Sequence, residues 1–177
     1  MGFMTPSRRF GLPELLIVSG SCLFIAVLWL SAWFEPDIRW LHFFQAWMYL
    51  ATVGFALRFN RWGYFIGISA AGFWDYTNLF VTSFFRSGLR WLFVSIGAGQ
   101  LKHVDQIVAV PAWVANFLVV GGSIWAYARL PARRWTDAGR LALAIVLTNG
   151  FFATAMALFQ PRYLPLFRGA LHPHRPW

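Results

Sequence analysis

The chain has 177 residues, of which 59% are hydrophobic, 20% aromatic and 12% charged, where soluble domains average about 45–50% apolar and about 25% charged. At 20.3 kDa, with a mean hydropathy of +0.55, so much apolar surface cannot be buried in one soluble core, because a small domain leaves much of its surface in water. The net charge of +9 comes from fourteen arginines and Lys102 against six acids, but the arginines flank apolar runs, which fits loop topology and anionic headgroups rather than nucleic acid.

A helix that crosses a bilayer needs about 20 mainly apolar residues. Five segments reach that length or approach it. The first is 13–34, with Pro13 at the helix start, where its missing N–H costs little. This run follows Arg8-Arg9, is longer than the apolar core of a signal peptide, and ends in Trp33-Phe34-Glu35-Pro36, so it reads as a retained span. Cys22 lies inside it as the only cysteine, which excludes disulfides within the chain. The second segment is 40–57 and the third 62–85. The apolar stretch 89–101 is only about 13 residues long and reads as an interfacial or re-entrant segment. The fourth span is 107–130 and the fifth 139–159, stopped by Gln160-Pro161. Short loops make neighbours antiparallel, so the expected fold is one compact up-down bundle of about five transmembrane helices in a single domain.

Orientation follows from the arginines. With the N-terminus inside, the inner side holds Arg8, Arg9, Arg58, Arg61, Arg129, Arg133, Arg134 and Arg140, against seven basic residues outside. Charge alone does not choose five spans over six. The Arg8-Arg9 start and the Arg129–Arg140 loop share the cytoplasmic side only if three further spans follow the first before that loop, as in the five-span reading. The expected location is the cytoplasmic (inner) membrane, with the N-terminus in the cytoplasm.

Polar residues inside such spans stand out, because lipid offers them no hydrogen bonds. Asp75, in Phe73-Trp74-Asp75-Tyr76-Thr77-Asn78, is the only acid in a long apolar run. Counting about 1.5 Å per residue from the span centres puts Asp75, Tyr49, Asn116 and Asn149 within about one helical turn of the same depth. Ala71, Gly72, Asp75, Asn78 and Thr82 share one helix face by their spacing, and His42, Gln45, Tyr49 and Thr52 share another. Small residues on the first face permit close approach. An Asp at the bilayer centre costs about 2.5–3.5 kcal/mol, which protonation or Tyr and Asn donors offset. The candidate ligand-binding set is therefore Asp75, Asn78, Tyr49, Gln45, Asn116 and Asn149, with Trp74 and Trp113, and Trp47 beside them, as aromatic walls suited to a cation. The competing reading of the asparagines is interhelical hydrogen bonding alone.

The remaining residues carry blander readings. His42 and His103 are weak metal candidates, their spacing matching no ligand motif; His172 and His174 belong to the tail. No metal or cofactor is assigned. Glu14 complements the dipole of the first helix. Trp29, Trp33, Trp40, Trp62, Trp91, Trp135 and Trp177 fall at expected interfaces, as an aromatic belt does. No phosphate loop, His-Glu-x-x-His or Gly-x-Ser-x-Gly motif occurs, which argues against ordinary hydrolase chemistry. In length, span number and tryptophan content the chain resembles the tryptophan-rich sensory/translocator proteins, but it lacks their proline-and-tryptophan motif. The expected function is binding or transport of a small polar or cationic ligand, or a proton, around Asp75. The alternatives are an accessory or assembly subunit of a membrane complex, and a membrane-embedded enzyme acting on a lipid or isoprenoid with Asp75 as general acid. The expected partners are the bilayer and either membrane-protein subunits or further copies of the chain, with no nucleic acid.

Overall fold

The computed structural model describes residues 10–130 and 134–166; Arg8, Arg9, Arg133, His172, His174 and Trp177 lie outside them. Among the described residues every regular element is helical. The helices are α1 (Leu12–Phe34), α2 (Arg39–Leu57), α3 (Arg61–Tyr76), α4 (Phe84–Ala98), the single turn α5 (Val104–Ile107), α6 (Ala109–Ala128) and α7 (Thr136–Phe159). One π turn, Thr77–Val81, prolongs α3, and 3-10 turns at Pro36–Ile38 and Pro161–Tyr163 follow α1 and α7.

Three stretches are long and apolar enough to cross a membrane: Leu12–Phe34, Val104–Ala128 and Thr136–Phe159. Arg61–Val81 joined with Phe84–Ala98 would make a fourth, but the two are bent by 75° at a short break. α2 has 19 residues; Arg39, His42, Gln45 and Tyr49 dilute its apolar character, and it is not among the three. The segment expected to be interfacial or re-entrant at 89–101 is longer, the 15-residue α4, and it starts at Phe84, inside what the sequence suggested was the third span.

α6 packs most extensively on α1 and next on α3, and α2 lies against both α1 and α3, so these four helices form the centre of the bundle. α7 leans on α3 and, less, on α2; α4 packs on α5, α6 and the π turn. Glycine makes the α1–α6 crossing possible. A Cβ on Gly20 of α1 would stand 2.7 Å from the Ala115 carbonyl oxygen of α6. Gly72, expected to serve this way on α3, has open space before it; Gly67, lower on the same helix, is the tight position, with a Cβ there only 2.6 Å from Ser123 Oγ.

One end of the bundle is tied by carboxylates. Asp137, at the start of α7, takes Arg61 Nη1 at 2.5 Å. It also accepts from the Tyr127 hydroxyl at 3.2 Å, Arg134 N at 3.0 Å and Arg140 Nη1 at 3.3 Å. Glu14 accepts from Gly11 N at 3.1 Å and from the buried Tyr64 hydroxyl at 3.5 Å. Glu14 therefore joins α1 to α3 as well as capping its own helix.

Candidate functional site

The opposite half of the bundle is open. A cavity of about 500 Å³ lies among the C-terminal half of α1, the start of α2, the end of α3 with its π turn, the first turn of α4 and the α5–α6 junction. Its size falls within the range of small-molecule sites. Three local features shape it. The turn at Glu35-Pro36 reverses the chain, and Gln160 Nε2 holds it by donating to Asp37 O at 2.6 Å. The π turn closes with Thr82 N donating to Thr77 O at 2.9 Å, a five-residue step that adds one residue to the turn and rotates the chain beyond it. The break at Thr82-Ser83 then aims α4 away from α3.

Four of the polar residues picked by spacing, His42, Gln45, Asn78 and Thr82, line this cavity, as does Trp74. Tyr49 and Asn116 lie just beyond its inner end. Both are fully buried, and the Tyr49 hydroxyl donates to Asn116 Oδ1 at 2.7 Å. Phe24, in the cavity wall, stacks on the Tyr49 ring with centroids 4.3 Å apart. Asp75, 7% exposed, adjoins the Asn116 amide and lies within electrostatic reach of the Tyr49 hydroxyl. Its Oδ1 and Asn116 Nδ2 nonetheless close no hydrogen bond of ordinary geometry. The hydroxyl of Thr77 and the indole N–H of Trp74 are likewise buried without a partner. Buried polar groups are normally satisfied, and removing a partner costs about 1–3 kcal/mol per group. Among the described residues, four such groups lie on Trp74, Asp75, Thr77 and Asn116; the others, on Ser21, Trp113, Ser123 and Asn149, lie outside the cavity wall.

The other candidates stand elsewhere. Asn149 sits on α7 outside the cavity wall, its Oδ1 buried and unpaired. Trp113 turns toward α4 and packs on Phe85 and Phe117, with centroids at 4.8 and 4.3 Å. Trp47 is half exposed and packs on Phe43 at the outer face of α2. Thr52 bonds back to Met48 O at 2.8 Å. His103 stacks on Trp91 with centroids 3.8 Å apart, away from His42. Among the described residues no group of three or more His, Cys, Asp or Glu is placed to hold a metal ion.

Several cavity residues give no such signal in the sequence. Glu35 and Asp105 look there like ordinary loop acids, yet both line the cavity, as does His42 from the polar stripe of α2. His42 Nδ1 lies 2.8 Å from Leu28 O. A carbonyl only accepts, so Nδ1 carries the proton and, in the neutral ring, Nε2 keeps its lone pair. Ser83 and Ser87 at the start of α4 also line the cavity. The cavity wall includes Glu35 and Asp105 but, among the described residues, no arginine or lysine. For a chain of net charge +9 that is a strong local reversal.

The structure thus defines an all-helical bundle, tied at one end and open at the other into an acidic cavity. Compared with protein-family models, with curated proteins and with solved structures, the chain matches none.

Proposed function

We propose that this is a small integral membrane protein that binds or carries a small cationic or polar ligand, admitted through the cavity toward Asp75. The bundle in the membrane consists of five spans, α1, α2, α3, α5–α6 and α7, with α4 as a re-entrant segment, and the arginine-rich Asp137 end faces the cytoplasm of an inner membrane. The observation that carries the reading is the cavity itself: carboxylates at Glu35 and Asp105, an aromatic wall at Phe24 and Trp74, no arginine or lysine among its described lining, and, between Trp74 and Thr77 of that wall in the chain, Asp75 with an unpaired Oδ1. An acidic, partly dry pocket attracts cations by focusing the field of its carboxylates, and aromatic faces add cation–π attraction. The test is binding of ethidium, a planar aromatic cation, to the purified full chain in nanodiscs. Asp75→Asn is expected to weaken it about tenfold or more, the scale of removing one charged partner in a desolvated site. Equal binding by wild type and variant refutes the reading.

A further inference from the structure

Resting on that reading, the geometry points to a zwitterion as the ligand: we propose that the cavity takes a small amino-acid-like molecule, carboxylate at the start of α4 and ammonium toward the acidic wall. The case begins at the break between α3 and α4. A helix interrupted at depth exposes the N–H groups of its first turn, which have no acceptor inside the helix, and carries the positive end of the helix dipole. Helix starts of this kind bind anionic groups, and broken helices in transporters present them to substrate carboxylates. Here α4 runs for 15 residues, and its N-cap residue, Ser83, makes no side-chain capping bond. The nearest substitute is Thr82 Oγ1, a long 3.4 Å from Phe84 N. Thr82, Ser83, Phe84 and Ser87 all line the cavity.

The second observation is independent of the helix end. Thr77 is fully buried, forms part of the same cavity wall, and its hydroxyl bonds to nothing. Its carbonyl is the one that closes the π turn onto Thr82, so the unused donor lies beside the break. Phe84 N already leans on Thr82 Oγ1, so the donors left for a carboxylate are the Thr77 hydroxyl in the cavity wall and the helix start's remaining first-turn N–H groups.

A plain anion does not fit the rest of the wall. Glu35 ends α1, and α1 packs on α2 and α6, whereas α4 packs on α5, α6 and the π turn. Glu35 and the helix start therefore stand on different walls, while Asp105 stands on α5, which packs against α4. One molecule that satisfies both must carry both charges. The aromatic wall of Phe24, Trp74 and Phe84 leaves room for an apolar side chain.

The test uses the purified full chain in nanodiscs and the standard L-amino acids as probes, read by ligand-dependent thermal stabilisation. The tightest-binding acid is then compared with its methyl ester, which keeps only the cation, and its N-acetyl derivative, which keeps only the anion. Both are expected to bind about tenfold or more weakly, the loss from leaving one set of buried partners unpaired. Thr77→Val should weaken the amino acid several-fold and leave the methyl ester unchanged. A methyl ester that binds as tightly as its parent overturns the zwitterion and leaves the cation reading intact. So does failure of every amino acid while ethidium still binds in an Asp75-dependent way. Failure of both the amino acids and ethidium overturns both readings.

Discussion

At one end of the bundle Asp137 is met by two guanidinium groups, a tyrosine hydroxyl and a backbone N–H. On the other side of the middle, Asp75 has an oxygen that bonds to nothing, next to an Asn116 amide in the same state. Both carboxylates are nearly out of reach of solvent, at 2% and 7% exposure. The difference lies in their surroundings. Asp137 sits at the very end of three helices and is covered by its partners, so its burial and its satisfaction are the same event. Asp75 is buried by the packing of α3 against α6, and its polar surroundings are left incomplete. A fold that can neutralise one acid so fully has the means to do so twice. The contrast separates a carboxylate met by four donors from one whose Oδ1 meets none.

That contrast can be broken by mutation, and the largest effect belongs to the tied end. Asp137→Asn removes the charge that Arg61 and Arg140 share and unties α7 from α3 and α6. Of the four substitutions that probe the contrast, it is expected to give the greatest fall in melting temperature, followed by tryptophan fluorescence in detergent, while ethidium binding by the surviving folded fraction stays intact. A binding loss larger than the stability loss would erase the distinction between the two ends. Next comes the α1–α6 crossing. Gly20→Ala places a methyl 2.7 Å from a backbone carbonyl and should cost about 1–3 kcal/mol, as overpacking does. The same melting curves check it.

How much of this was legible in the sequence depends on the kind of coordinate involved. Helix extents were close: the first run, read as 13–34, is Leu12–Phe34, and the second, read as 40–57, is Arg39–Leu57. Apolar length and breakers such as Glu35-Pro36 fix them locally. Depth was legible too, because rise per residue is nearly constant; counting from span centres placed Tyr49 and Asn116 level, and they share a hydrogen bond. Azimuth was not. Asn149, Trp113 and Trp47 have similar depth, but the direction each faces depends on which helix lies beside it, and periodicity carries no such information. The break after Val81 was hidden for a different reason: no proline or glycine marks it, and the π turn changes the phase of the face on which Thr82 was counted. The Arg61–Asp137 pair joins residues 76 positions apart, a separation that no local pattern reports.

Smaller effects probe the open half. Tyr49→Phe keeps the ring stacked on Phe24 but leaves the buried Asn116 Oδ1 without its donor, so its expected cost is about 1 kcal/mol, the lower end for an unpaired buried acceptor, as hydrogen bonds between membrane helices are weak. Its melting curve should shift only slightly. Asp75→Asn should change stability least of all. The substitution keeps shape and removes a charge whose buried Oδ1 has no partner, so the melting temperature is expected to stay where it is or rise by the equivalent of up to about 1 kcal/mol, because an unpaired buried polar group costs that much or more. Ethidium affinity, by contrast, should fall about tenfold or more in the same preparation. The pair of measurements matters more than either alone. A group kept for packing loses stability when it is changed; a group kept for a ligand loses binding and frees the fold of a burden. If Asp75→Asn instead melts well below wild type and binds ethidium normally, Asp75 is interhelical glue like the asparagines around it, and the two ends of the bundle differ in degree only.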